Sequence, residues 1–409
     1  MINLIGQGAY EEIANPKFQV PETIQNAVAF GFLLLGETPF LTLKAGEILF
    51  EGYNDPLLDL GHSEIFKVGN ILLGNIFDRF AIPDMKKMAF YYGYNNTNDE
   101  EYWVKTGTKG DDQVGTVVSW ANRTDLPHDW YTTEQCRMIN GTDSGSFAPK
   151  HLKKTDRLPF FMSFLCRSFY LEYADDAEVN DIKTYEFTAP PSVFDTTLDE
   201  NRGMRYPNLE KVNYAKGWPN CPTKTAENCS NVAVDCSAKD NLCHSCCDGS
   251  LVNDTYLMPP GLYPLQCYPG RLNQPPFLVQ ISPPHFAYSP PEISQNLIGM
   301  HPKLPEHVPF SYLYEPYSGT PLGTSAKFMI NMPIFNISRF AGTSQLPQTM
   351  LPFAWTEIHA HMHQSILDYA KLGFTTVPRI VFISKIVTLV LAFCLALFSV
   401  FPIYRLRRK

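Results

Sequence analysis

The sequence predicts an α+β protein with a helical N-terminal segment, a large antiparallel β domain and one C-terminal transmembrane helix. Three observations support this prediction. Apolar residues recur at helical spacing between residues 5 and 37. Short runs with strand chemistry, separated by turn residues, fill residues 40–335. A run of 25 mostly apolar residues, 380–404, lies close to the end of the chain.

The helical segment is predicted over residues 5–37. Pro21 precedes Glu22, as is common where a helix begins. Ile24, Ala27 and Val28 then follow at steps of three and four residues. The pattern indicates a short helical subdomain with an exposed apolar face.

The β domain is predicted from short runs that favour strands, such as residues 115–118, 185–187 and 328–330. Because these runs follow one another without alternating helical patterns, an antiparallel arrangement is favoured over βα units. Frequent prolines between residues 259 and 309 limit that part to turns and short edge strands.

Nine of the ten cysteines precede the apolar run, and seven of them fall within a cysteine-rich stretch, residues 221–267. The nine are Cys136, Cys166, Cys221, Cys229, Cys236, Cys243, Cys246, Cys247 and Cys267. Such density is typical of disulfides in an oxidising compartment, and the odd count leaves one thiol free or paired between chains. Cys394, inside the apolar run, is interpreted as an inert small hydrophobe.

A membrane-proximal helix is expected over residues 355–376, and it leads into a membrane span over 380–404. At 1.5 Å per residue the span is about 37 Å long, which is enough to cross a hydrocarbon core. The basic tail, residues 405–409, favours the cytosol. Residues 1–379 are therefore predicted to form an ectodomain outside the cell or in a lumen.

Six Asn-x-Ser/Thr acceptors for N-glycosylation support that orientation. They are Asn95, Asn122, Asn140, Asn228, Asn253 and Asn336. The sequence after Met1 has neither a signal peptide nor a membrane helix, and the apolar residues 27–36 are too short to span. We therefore expect the natural N-terminus to lie upstream of Met1.

Composition and motifs exclude several classes of function. A net charge of -8 and a pI near 5.7 provide no basic surface, so nucleic acid is not a predicted partner. The chain has no Gly-x-Ser-x-Gly elbow, phosphate loop or dinucleotide fingerprint. No catalytic residue and no cofactor are predicted, and the protein is not expected to be an enzyme.

Two patterns of metal-ligand residues are weighed and not favoured. Cys243 and Cys246 form a CxxC, but no second pair follows at zinc-site spacing. On a helix His359 and His363 would share one face, but no glutamate stands at the metalloprotease position between them. We predict no metal site and interpret His359, His361 and His363 as a polar, membrane-proximal face.

Seven motifs in order along the chain resemble the class B scavenger receptor family. They are GYNDPLL (52–58), YNNT (94–97), CRMINGTD (136–143), CRSFY (166–170), SPPHF (282–286), EPYSGT (315–320) and LPFAW (351–355). The resemblance covers nearly the whole chain and ends at the apolar run.

The resemblance implies a hairpin with a membrane helix at each end and a glycosylated, disulfide-bonded ectodomain. That ectodomain would be an irregular antiparallel β-barrel with a helical apex that meets ligands and an apolar tunnel for lipids. The residues expected to contact ligands at the apex are Lys17, Val28, Phe30, Phe32, Leu33 and Leu34.

The sequence departs from the family pattern in three ways. The first membrane helix and the first part of the ectodomain have no counterpart here. The cysteine-rich stretch is longer, so the resemblance implies only two pairings, Cys166 with Cys267 and Cys136 with a cysteine of the 236–247 cluster. The apex offers a single lysine, Lys17, and its apolar residues favour a lipid or protein ligand over a polyanion.

The predicted function is that of a plasma-membrane receptor that binds lipids, fatty acids, sterols or lipoprotein particles and facilitates lipid uptake. One alternative is a receptor of the lysosomal integral membrane protein type, which docks and sorts a protein cargo at its apex or acts in adhesion, and which resides in the lysosomal membrane. The tail 405–409 lacks an acidic di-leucine signal, which favours the plasma membrane. A third reading is a truncated form without receptor activity.

Overall fold

The computed structural model describes residues 20–72, 86–204, 259–334 and 346–406 apart from short gaps, and two short strands between them. The gaps are residues 39, 110–113, 129, 197, 266, 268–269 and 271–278. Several predicted residues lie outside the described part, namely Lys17, Cys221, Cys229, Cys236, Cys243, Cys246, Cys247, Asn228, Asn253 and Asn336.

The described helices occupy the two ends of the chain and one short turn between them. They are α1 (Glu22–Leu34), α2 (Pro56–Gly61), α3 (Glu64–Leu72), α4 (Glu134–Arg137), α5 (Gln364–Lys371) and α6 (Val377–Leu406). π-Helical turns span Glu47–Glu51 and Leu372–Thr376. Short 3-10 turns span Ser163–Leu165, Pro191–Phe194, Asp199–Met204, Pro284–Phe286 and Pro291–Ile293.

The described strands, in chain order, fall between α3 and α5. They are β1 (Tyr102–Val104), β2 (Val117–Trp120), β3 (Thr142–Asp143), β4 (Leu158–Met162), β5 (Arg167–Val179), β6 (Ile182–Thr188), β7 (Pro207–Asn208), β8 (Tyr256–Leu257), β9 (Tyr263–Pro264), β10 (Gln280–Ser282), β11 (Phe310–Glu315), β12 (Thr320–Ile334) and β13 (Thr349–His361).

Helices replace the β structure expected from residue 40 onward. Asp55 caps α2, because its carboxylate accepts the Leu57 N–H at 2.9 Å, and Pro56 takes the first helical position. Ser63 accepts the Phe66 N–H at 3.1 Å at the start of α3. These caps initiate helices where strands were expected, so the mostly β region begins near β1 and not at residue 40.

One large antiparallel sheet organises the remainder of the described chain. Its strand order is β3-β4-β5-β6-β11-β12-β10-β9, with β13 on β12, and β3–β4 is its parallel pair. Strand β12 is central because β11 and β10 share one of its edges and β13 covers the other. Among the described strands this sheet is open.

The core of the sheet is built from closely packed aromatic side chains. Phe160, Phe169 and Phe310 lie with ring centroids 5.3–5.6 Å apart. Phe194 and Tyr263 extend the cluster at 5.9–6.3 Å. All five are buried, and each contributes a large apolar area to folding.

A buried disulfide joins Cys166, just before β5, to Cys267, beyond β9. This is the pair that the resemblance implies. The Tyr131 hydroxyl donates to the Cys166 carbonyl at 2.9 Å, which ties a neighbouring loop to the same point. Cys136 is also buried, but its expected partner cluster, 236–247, lies outside the described residues, so that pairing stays a prediction.

Residues 355–361 belong to β13, which corrects the helix expected from residue 355. The β12–β13 register runs from Ile334–Thr349 to Gly323–His361, so cross-strand pairing holds this segment extended. Helix α5 begins at Gln364, after His363 accepts the Ser365 N–H as its cap. Tertiary pairing here overrides the helical reading of the IHAHMHQ sequence.

Helices α5 and α6 and the π-helical turn between them form one continuous helix. From Gln364 to Phe398 it is long and apolar enough to cross a membrane, and it is the single such helix among the described residues. It includes most of the predicted span, residues 380–404, and α6 reaches Leu406.

Candidate functional site

Helix α1 presents most of the predicted apex residues to solvent. Phe30, Leu33 and Leu34 are 61%, 63% and 71% exposed. Val28 is half-buried, and Phe32 is buried at 6%. The structure therefore brings Phe30, Leu33 and Leu34 to the surface and places Phe32 on the inner side of the helix.

A glycine cap fixes where the exposed end of α1 stops. Gly36 has a φ of 75°, the left-handed conformation that favours glycine. The Gly36 N–H donates to the Leu33 carbonyl at 3.2 Å, and the Glu37 N–H donates to the Phe32 carbonyl at 2.9 Å. This closing motif satisfies the last carbonyls of the helix and holds the Leu33–Leu34 end in place.

Helix α3 carries a second exposed apolar stripe that sequence reasoning missed. Ile65, Val68 and Ile71 are 81%, 55% and 67% exposed. They are spaced by three residues and so share one face of the helix. That spacing was the available signal, but the surrounding residues were read as β structure. We call Phe30, Leu33, Leu34, Ile65, Val68 and Ile71 the exposed helical residues.

The charges around the exposed helical residues are mainly negative. Residues 20–72 contain seven carboxylates and two lysines, Lys44 and Lys67. Lys67 forms an ion pair with Glu64 at 2.7 Å on the surface of α3. Burial raises the pKa of Asp55, whose role is to cap α2. This surface suits an apolar ligand better than a polyanion.

The three predicted membrane-proximal histidines lie on two different elements. His359 and His361 point to one face of β13 with parallel rings 6.0 Å apart, and His363 caps α5. His359 pairs with Glu357 at 2.9 Å, and Glu357 pairs with Lys327 at 3.2 Å. Among the described residues no group of three or more His, Cys, Asp or Glu side chains is placed to hold a metal ion.

A second histidine pair was not identified from the sequence. His285 and His307 stack with ring centroids 4.1 Å apart, and Trp355 lies edge-on at 6.3 Å from both. His307 is buried, and burial is the main cause that lowers the pKa of His307. The neighbouring His285 lowers this pKa further. The two residues are distant in sequence, so only the fold brings them together.

Three of the predicted glycosylation acceptors lie within the described residues. Asn95, Asn122 and Asn140 are all exposed. Each stands in a turn or loop that a glycan can reach, and their modification remains a prediction.

Comparison with known proteins places these features in a family context. The chain matches the family model described as CD36 family along residues 1–403. An uncharacterized Caenorhabditis elegans protein, R07B1.3, is 39% identical over 398 residues, which cover 96% of this chain and 70% of that protein.

Two relatives with descriptive names are more distant. Scavenger receptor class B member 1 of Rattus norvegicus is 25% identical over 95% of this chain and 62% of its own length. Lysosome membrane protein 2 of Homo sapiens is 24% identical over 84% of this chain and 58% of its own length. The chain thus spans less than two thirds of either protein.

The family match extends from the exposed α1 region through the sheet and its disulfide into the apolar C-terminal helix. The local motifs and the long alignments cover the same residues. The chain belongs to the CD36 family.

Proposed function

We propose that this protein is a cell-surface receptor that binds lipids or lipid-bearing particles through its exposed helical residues and facilitates lipid uptake. The ligands in this proposal are fatty acids, sterols and lipoprotein particles. The ectodomain, residues 1–379, lies outside the cell, and α6 anchors it in the plasma membrane with the tail 405–409 in the cytosol.

One observation carries the proposal. Large apolar side chains on α1 and α3 stand in solvent, in a region with few cations. Exposed apolar clusters on a soluble domain are characteristic of contact with lipid or protein. Burying one such side chain contributes about 1.5–3 kcal/mol, so a few of them supply useful affinity for a lipid surface.

The route from this surface to the bilayer is the finer part of the proposal. We propose that the sheet is completed into a barrel-like ectodomain with an apolar passage, as the family resemblance implies. Moving acyl chains along such a passage avoids the cost of exposing them to water, about 25 cal/mol per Å².

The test is uptake by animal cells that express the full chain. Cells receive fluorescent fatty acid, sterol or lipoprotein, and surface expression is quantified in parallel. The double variant Leu33→Ser/Leu34→Ser should weaken particle binding about tenfold or more, because the two lost leucine contacts together exceed about 1.4 kcal/mol. Ile298→Ser, at a fully exposed loop residue outside these helices, is the matched control and should leave binding unchanged. Uptake equal to that of untransfected cells would refute the proposal.

A protein ligand is the second candidate, and the stripe on α3 favours it. Ile65, Val68 and Ile71 repeat every third residue, a spacing that an apolar partner helix can match. In that case Ile65→Ser/Val68→Ser would abolish delivery of a protein cargo to lysosomes and leave lipid uptake intact.

A further inference from the structure

The β5–β6 hairpin extends beyond its neighbour in the sheet. Pairing of β6 with β11 ends at Tyr185–Tyr314, whereas pairing with β5 continues to Val179–Ile182. Asn180 and Asp181 form the two-residue turn, with φ values of 51° and 60°. Positive φ at both central residues is the tight hairpin geometry that matches strand twist. We call residues 179–183 the hairpin tip.

The hairpin tip packs on the helix that leads into the membrane. Ile182, Leu322 and Leu367 form a buried cluster, and Val179 and Phe374 pack against it. Leu367 and Phe374 are seven residues apart, which is about two helical turns. Both therefore lie on the helical face that turns away from the exposed residues of α5. The α5 segment is therefore part of the ectodomain fold and not a free linker.

Polar contacts fix the same junction. Lys371 forms an ion pair with Asp181, and the Thr375 hydroxyl donates to the Asp181 carbonyl at 3.1 Å. The pKa of Asp181 is lowered, first by the hydrogen bond from Lys371, with a smaller contribution from Arg379. Asp181 thus stays ionised between two cations of the juxtamembrane helix.

The position of the tip along the helix sets its height above the bilayer. Thr375 lies five positions before Ile380, where the apolar run begins, which corresponds to about 7.5 Å of helix. The headgroup layer is about 5–8 Å thick on each side of the hydrocarbon core. The tip, bonded to Thr375, therefore falls at the level of the headgroups.

Exposed side chains at this level fit a bilayer surface. Leu372 and Val377 are 51% and 47% exposed and continue the lipid-facing surface of α6. Lys183 on the tip and Arg379 on the helix are exposed cations whose stems can lie along apolar surface while their charges meet phosphates. Apolar and cationic groups at one height are typical of membrane interfaces.

We infer that the β5–β6 hairpin tip is a membrane-docking element that rests on phospholipid headgroups and, through Asp181 and Leu367, seats the sheet against the membrane. This inference rests on the membrane anchoring in the proposed function. It adds a second contact between the ectodomain and the bilayer, apart from the span itself.

The test uses the unaltered full chain in lipid nanodiscs with two photoreactive phospholipids. One carries its reactive group on the headgroup and the other in the acyl chain, and crosslinked peptides are mapped by mass spectrometry. We expect headgroup crosslinks on residues 178–183 and 372–379. Residues 346–349 serve as the internal control, because they lie at the opposite end of β13, about 40 Å along the strand from His361.

The acyl-chain probe distinguishes failure of the docking inference from failure of the membrane anchoring. Acyl crosslinks on residues 380–398 with no headgroup crosslinks on 178–183 would overturn the docking inference alone. Absence of acyl crosslinks on 380–398 would overturn the anchoring on which both proposals depend. In Leu367→Ser, loss of the buried contact that holds the tip on the helix should reduce headgroup crosslinks on 178–183 at least several-fold and leave those on 372–379 in place. Unchanged crosslinks on 178–183 in this variant would contradict the seating role given to Leu367.

Discussion

His307 is a buried histidine held in a neutral state by its surroundings. Its Nδ1 accepts the Lys303 N–H at 3.0 Å, which places the proton of the neutral ring on Nε2. The groups that face it are His285, Glu306, Lys303 and Lys327. Burial, His285 and the two lysines lower its pKa, and Glu306 opposes them.

This environment predicts an acid-sensitive fold. In the unfolded chain the pKa of His307 is about 6.5, and in the folded protein this pKa is lower. Between the two values the unfolded chain binds more protons, so stability is lost as pH falls below about 6.5 towards the folded pKa. His307→Asn retains an acceptor for the Lys303 N–H and should reduce the fall in thermal midpoint between about pH 7.5 and 5.5.

The control for His307→Asn is a variant at a histidine outside the His285–His307 stack. His361→Asn, on the exposed part of β13, should leave the pH dependence of unfolding as it is in the unchanged protein. Equal acid sensitivity in His307→Asn and the unchanged chain would rule out His307 as its cause.

The disulfide between Cys166 and Cys267 predicts a larger effect on stability. The two residues are 101 apart in sequence and both are fully buried. The double variant Cys166→Ala/Cys267→Ala should lower the free energy of unfolding by about 2–5 kcal/mol. Denaturant unfolding measures this, with Cys394→Ala as the control that should match the unchanged chain.

At the scale of elements, one face of α5 packs against the domain that contains the large sheet. Leu367 is buried at 8% against Ile182 and Leu322, whereas Ile366 is 53% exposed. Leu367→Ala should cost about 2 kcal/mol or more at this junction, because it leaves a cavity between helix and hairpin. The exposed ion pair of Lys371 with Asp181 adds little to stability because solvent screens it, and it mainly fixes the geometry of the junction.

Trypsin provides a direct readout of that junction. In detergent solution, cleavage after Lys371 should be faster in Leu367→Ala than in the unchanged chain, because the helix detaches from the hairpin more often. Ile366→Ala removes a similar apolar volume from the other face and should not change the rate. Identical rates in the two variants would show that α5 is not held by this contact.

Elements with strong local signals were predictable from sequence. The helix after Pro21 and the long apolar helix appear where their periodicity and composition place them. Strand β13 was missed because alternation in Trp355, Glu357 and His359 competes with a helix-compatible pattern, and only pairing with β12 decides the outcome. Helices α2 and α3 were missed because their caps, Asp55 and Ser63, were not weighed.

The candidate site was predictable only in part, for a similar reason. Phe30, Leu33 and Leu34 are exposed, and their role in ligand contact stays a prediction. Phe32, between them, is buried because one side of any surface helix must face the fold. The stripe on α3 and the His285–His307 pair depend on tertiary packing, which motifs in one sequence do not specify.

At the scale of the whole molecule, glycosylation tests the orientation of the ectodomain. Asn95, Asn122 and Asn140 are exposed acceptors within the described residues. The 409-residue chain, expressed in animal cells, should shift in gel mobility after treatment with an N-glycosidase. Replacing these three residues by Gln should reduce the shift, and no shift in the unchanged chain would place the domain in the cytosol.

The π-helical turn at Leu372–Thr376 has a consequence for how the bilayer and the ectodomain are matched. Such a turn absorbs one extra residue locally, so the helix after it keeps nearly the same azimuth, whereas deleting one residue from the α-helical stretch that follows, at Val377, would rotate the remainder of α6 by about 100° relative to α5. The rotation of α6 about its own axis can therefore change while the sheet stays as it is. A neighbouring protein beside α6 would meet a different helical face after that deletion, while the surface of the sheet stayed the same.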